Sequence, residues 1–158
     1  MGNCTIQREL PWSWHRTPGW RGHLARLVRW RDRLKDANCP ADVEDYLYAF
    51  FQNCYHMRDW LPETTFPSTE VEAFLDQHFE LRVCRDICNM TKHCELTRRP
   101  AQGLELCVLR EYVGAGNGWF EDDSRLIIAT QNIVLDARDV ASCCLRLWRG
   151  FLHAADNK

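Results

Sequence analysis

Two short stretches hold most of the residues that could do chemistry. The first, Tyr55-His56-Met57-Arg58-Asp59-Trp60, sets an imidazole and a carboxylate one helical turn apart. The second, Glu80 to Leu96, embeds Arg82, Arg85, Asp86, Asn89, Lys92 and His93 among Leu81, Val83, Cys84, Ile87, Cys88 and Met90. On a helix, Asp86, Asn89 and His93 share one face, with Arg82 one turn before Asp86 and Arg85 one turn before Asn89. Imidazoles exchange protons near neutral pH, and guanidinium and ammonium groups stabilise developing negative charge. The candidate catalytic set is therefore Arg85, Asp86, Asn89, Lys92 and His93, joined by His56 and Asp59. A set of this kind can run acid–base chemistry, with His93 as general acid or base, Arg85 and Lys92 stabilising developing negative charge, and Asp86 and Asn89 orienting them.

Other readings stand beside it. His56, Asp59, Asp86 and His93 offer two imidazoles and two carboxylates, enough for a divalent metal and hydrolysis through bound water. A non-enzymatic bundle would use the same groups to fix its fold or to dock a partner, as the immunity or regulatory half of a bacterial system. In that case His56 is a buried, hydrogen-bonded histidine, Arg85 and Asp86 serve ion pairs, Lys92 favours a helix C-terminus and Asn89 is a local cap. Several buried polar groups cost stability unless they satisfy one another, which is why such networks collect at sites.

The chain is 158 residues long, enough for a single domain with one core. Hydrophobic residues make up 46% and charged ones 27%, and the formal net charge of -2 gives no global pull toward nucleic acid or an anionic membrane. Charge is unevenly spread: Arg8 to Lys35 carries eight Arg or Lys against Glu9 and Asp32, and Ala41 to Glu80 carries nine Asp or Glu against Arg58. The expectation is a basic first helix lying against an acidic second region. The nine cysteines fall mainly in apolar patterns (Cys54, Cys84, Cys88, Cys107, Cys143, Cys144), and Met1 to Pro11 lacks the apolar run of a leader. Free thiols in a reducing cytoplasm are the expectation. Cys84 and Cys88 are too far apart for a zinc knuckle, Met-Gly-Asn-Cys lacks the Ser or Thr of an acylation signal at position 6, and no run of about 18 apolar residues calls for a membrane. No cofactor is expected.

Residues 1–22 read as an irregular arm with Trp12, Trp14 and Trp20, broken by Pro11, Pro18 and Gly19. Arginines interleaved with Trp14, Trp20 and Trp30 suit either indole burial or a clamp on single-stranded nucleic acid. Helices follow through residue 98: His23 to Asp36; Ala41 or Asp42 to Leu61, stopped by Pro62; and one opened by a Thr69/Glu72 capping box. Leu104 to Val113 and Arg125 to Leu135 read as strands of a β-meander over residues 104–136, split at Gln131-Asn132. The glycines of 114–118 have the wrong spacing for a nucleotide loop. Asp136 caps a final helix over 137–154. The fold class is mostly α (α+β): a helical bundle with a small antiparallel sheet before the C-terminal helix.

The Tyr-His-x-x-Asp-Trp and Arg-Asp-x-x-Asn-x-x-Lys-His helices together resemble those of a group of uncharacterised bacterial proteins. More loosely, a bundle with Arg85, the polar neighbour Asp86 and a downstream His93 is similar to the HEPN superfamily, whose ribonucleases place an Arg-x4-6-His motif at a dimer interface. The spacing here departs, with seven residues between Arg85 and His93. The resemblance implies metal-independent cleavage or binding of RNA, with Arg85 and Lys92 stabilising the phosphorane, a homodimer, and a role in toxin or phage-defence systems; a protein partner is the expectation if the bundle is non-enzymatic.

Geometry makes one further demand. At about 1.5 Å rise per residue, a straight helix from Thr69 carries Asp86 about 25 Å away, beyond reach of His56. The two clusters can meet only if the chain breaks near His78 to Glu80.

Overall fold

The computed structural model describes residues 19–92, 107–112, 124–129 and 133–156. Five helices and a three-stranded antiparallel sheet account for them: α1 (Trp20–Asp36), α2 (Pro40–Tyr55), a 3-10 turn (His56–Trp60), α3 (Ser68–Gln77), α4 (Phe79–Lys92), β1 (Cys107–Tyr112), β2 (Ser124–Ala129), β3 (Val134–Asp136) and α5 (Ala137–Asp156). The expected architecture is present, a helical bundle whose small sheet precedes the last helix. Most of the Trp-rich arm, the Gly114 to Gly118 run and the Gln131-Asn132 split lie outside the described residues.

Each helix boundary has a local cause. Helix α1 starts at Trp20, earlier than the apolar periodicity suggested, because Gly19 adopts φ 74° and turns the chain into the helix. Helix α2 has Pro40 in its first turn, where its missing N–H costs nothing, and it tightens into the 3-10 turn rather than running as α-helix to Leu61. Leu61, extended ahead of Pro62, ends it. The expected Thr69/Glu72 capping box does not form: the N-cap is Pro67, two residues earlier, α3 begins at Ser68, and the Glu63 carboxylate accepts from Ser68 N at 3.0 Å. Asp136 caps α5 as expected, its Oδ1 accepting from Arg138 N at 2.7 Å and Asp139 N at 3.3 Å.

The core is the meeting of α1, α2, α4 and α5. Leu27 and Leu34 from α1, Leu47, Phe50, Phe51 and Cys54 from α2, Leu81, Cys84 and Ile87 from α4, and Cys144, Leu145 and Trp148 from α5 are all buried. Each large apolar side chain removed from water contributes about 1.5–3 kcal/mol before entropy is counted. In the sheet, order β1-β2-β3, Val108 pairs with Ile128 and Ile128 with Leu135, and the buried Ile128 seats β2 on the helices.

The feature that positions the site is the break at His78. Its extended backbone (φ -105°, ψ 120°) separates α3 from α4, so α4 folds back along α2. Two arginines one turn apart on α4 hold the bend: Arg82 Nη1 donates to Asp76 O at 2.8 Å, and Arg85 Nη1 donates to Asp76 Oδ1 at 2.8 Å.

Candidate functional site

The 3-10 turn builds the first half of the site. With about three residues per turn, side chains three apart superimpose. His56 Nδ1 accordingly meets Asp59 Oδ2 at 2.7 Å. Arg58 lies between two carboxylates, 3.4 Å from Asp59 Oδ1 and 2.7 Å from Glu72 Oε1, with its guanidinium 4.5 Å above the Tyr55 ring. Burial raises the Tyr55 phenol, so it stays protonated.

The second half comes from α4, and the break brings it into contact with the first. Cys88 Sγ is 3.8 Å from His56 Nε2, and Gln52 Nε2 donates to Thr91 Oγ1 at 3.1 Å. The stretch that carries the second cluster thus reaches the first through the buried Cys88, while Arg85 turns to Asp76 and Asp86. Asp86 is buried, and that burial raises its carboxyl, opposed by the nearby Arg85. Arg85 is 3.8 Å from Asp86 Oδ1 in addition to its pairing with Asp76, so its charge faces two carboxylates. Asn89 is half-buried within α4, three residues before its end, and so is not a helix cap. Lys92 is the last residue of α4, but its side chain lies outside the described part, as does all of His93.

Helix α1 supplies a border that the sequence clusters did not include. His23 stacks on Trp60 (centroids 4.9 Å apart, planes at 14°), and its Nε2 donates to Asn53 O at 2.7 Å. Burial lowers the His23 pKa, so the ring is neutral and keeps that N–H, while its buried Nδ1 has no hydrogen-bond partner. Arg26 stands 6.0 Å from the Trp60 centroid. Trp60 remains 38% exposed. Elsewhere on α1, arginines cover the helix's own indoles: Arg21 lies 4.1 Å from the Trp20 ring and Arg33 4.8 Å from Trp30.

The residues missed in sequence are therefore Cys88, Trp60, His23 and Arg26. Trp60 and Cys88 each sit inside a motif whose neighbours were singled out, and that adjacency was the available signal. His23 and Arg26 reach the site only through tertiary packing of α1 on the 3-10 turn. Among the described residues, no three His, Cys, Asp or Glu side chains are arranged to hold a metal ion, and no helix is long and apolar enough to cross a membrane.

Compared with family models, curated proteins and solved structures, the chain matches none of them.

Proposed function

We propose that this protein binds single-stranded RNA across the face formed by Trp60, Arg26 and His23, beside the His56–Asp59 pair. The observation that supports the reading is the half-exposed indole of Trp60, backed by the neutral His23 ring and accompanied by Arg26. Base stacking on such a ring is tolerant of sequence, and guanidinium groups along α1 suit the phosphates. Arg58 and the α1 arginines offset the negative charge of Asp59 and Glu72 at its edge.

Cleavage of the bound strand is the step that Arg85, Asp86, Asn89, Lys92, His93, His56 and Asp59 would carry out. In the described conformation both ring nitrogens of His56 face protein groups, Asp59 and Cys88, and Arg85 faces Asp76 and Asp86. Binding is thus the better supported activity, and hydrolysis requires His56 to turn to the strand.

The experiment is fluorescence anisotropy of an end-labelled single-stranded RNA at low salt, with gel analysis of the same samples. Saturable binding by the wild type that is lost in Trp60→Ala supports the proposal. Binding with intact RNA makes the protein a binder, and shortened RNA that persists in EDTA makes it a metal-independent nuclease. No anisotropy change with the folded wild type would discard the RNA reading and favour a protein-docking module, for which the buried Asp86 and doubly paired Arg85 act as structural polar groups.

A further inference from the structure

Cys88, His56 and Asp59 form a connected series: thiol, imidazole, carboxylate. Cys88 Sγ is 3.8 Å from His56 Nε2, and His56 Nδ1 is 2.7 Å from Asp59 Oδ2. Asp59, which as a carboxylate can only accept, fixes the imidazole proton on Nδ1 and leaves Nε2 as the acceptor that faces the thiol. This is the arrangement that activates a cysteine: a base within reach of the nucleophile, itself oriented by a third group. RNA binding at Trp60 makes no use of the thiol, so either activity can be absent without the other.

We infer that Cys88 is a nucleophilic thiol activated by His56 and Asp59, and that its co-reactant is a small hydroperoxide. The size limit comes from burial: Cys88 has 0% of its surface exposed, so bulky acyl or peptide electrophiles are excluded. Hydrogen peroxide is not much larger than water, and the His56 ring that contacts the thiol is itself 38% exposed. The step balances within the site. The Cys88 proton passes to His56 Nε2, the thiolate sulfur attacks one peroxide oxygen, and the O–O bond breaks. The imidazolium returns its proton to the departing hydroxide as water. Sulfur is oxidised to a sulfenic acid and the peroxide is reduced.

The molecule carries its own controls. Cys84 and Cys144 are as deeply buried, yet they donate to backbone carbonyls, Phe51 O at 3.3 Å and Glu80 O at 3.4 Å, and share a cluster of thiols with Cys54, the one member of it that is held low, at about 5. Burial pushes both well up. Burial without a base should leave a thiol inert.

The test exposes the full, reduced chain to hydrogen peroxide with dimedone present and reads each cysteine by peptide mass spectrometry. Cys88 should gain the sulfenic-acid adduct at least tenfold faster than Cys84 or Cys144, and Asp59→Asn and His56→Ala should each slow it by a comparable factor. Asp59 is half exposed, so Asp59→Asn leaves the packing intact even where His56→Ala unfolds locally. Adduct formation at Cys88 no faster than at the two core thiols would overturn the inference. So would an Asp59→Asn protein that reacts at the wild-type rate, or a folded His56→Ala protein that reacts faster, since the ring would then be a shield and not a base.

Discussion

Arg85 Nη1 lies 2.8 Å from Asp76 Oδ1, across the break at His78 that lets α4 turn back along α2. The arginine singled out as a phosphate-stabilising residue is thus a brace of the fold, and it also compensates Asp86. The two contacts differ in worth. Asp76 is 63% exposed, where screening leaves an ion pair worth about 0.2–1 kcal/mol, whereas Asp86 is only 10% exposed.

Arg85→Ala should therefore cost about 1–3 kcal/mol, because it leaves a buried carboxylate without its neighbour, while Asp76→Ala should cost less than about 1 kcal/mol. Urea unfolding followed by circular dichroism measures both. Equal losses would mean that Asp76, and not Asp86, is the partner that matters.

The break itself was legible in the sequence, since a polar cluster on α4 can meet one after α2 only if the intervening helix turns. Asp136 as the cap of α5 and the three-strand order before it were legible for local reasons: a capping side chain, and β-branched runs. The 3-10 tightening at His56 was not, because Tyr46 to Leu61 keeps a helical apolar period and only the pull of Pro62 on Leu61 distinguishes the last turn. Nor was the partnership of His56 with Cys88. In sequence the thiol is one more small apolar residue of the α4 stripe, and its contact is set by how α4 lies on α2.

The buried His23 should make stability pH-dependent. Its folded pKa lies below the usual 6.5, chiefly through burial, so the unfolded chain takes up the proton first. The contribution is fully present above pH 6.5 and is lost as pH falls through the depressed folded value. His23→Phe keeps a ring against Trp60, gives up the bond to Asn53 O at a cost of about 1 kcal/mol in mildly alkaline buffer, and should flatten this acid-side loss. Urea midpoints at a series of pH values report it, and an unchanged slope in the variant would assign the loss to another group.

Trp148, with 0% of its surface exposed, anchors α5, and its buried Nε1 makes no full hydrogen bond, only a looser approach to the Cys54 thiol. Phe74 and Phe151 pack on its ring at 5.2 Å and 6.0 Å between centroids. Trp148→Ala should cost about 3–5 kcal/mol through the cavity it leaves. Trp148→Phe should cost much less, since the smaller ring keeps most of the packing and gives up only a weak N–H···S approach to Cys54. A thermal melt in which the two variants fall equally would show that the indole N–H has a partner that stabilises the fold.

The RNA face makes a prediction that separates stacking from charge. Trp60→Ala should weaken binding by about 1–3 kcal/mol, the usual worth of one base stacked on an aromatic ring, with little change in how steeply affinity falls with salt. Arg26→Gln should act on the electrostatic part: the log–log salt slope should drop by about 0.7 when one phosphate of a single strand is no longer neutralised. Both effects should be similar for pyrimidine-rich and mixed sequences, because neither side chain reads base edges. Anisotropy titrations across a salt series measure all three quantities. A Trp60→Ala protein whose weakened binding appears wholly as a change in salt slope would mean that the indole positions arginines and does not itself stack on a base.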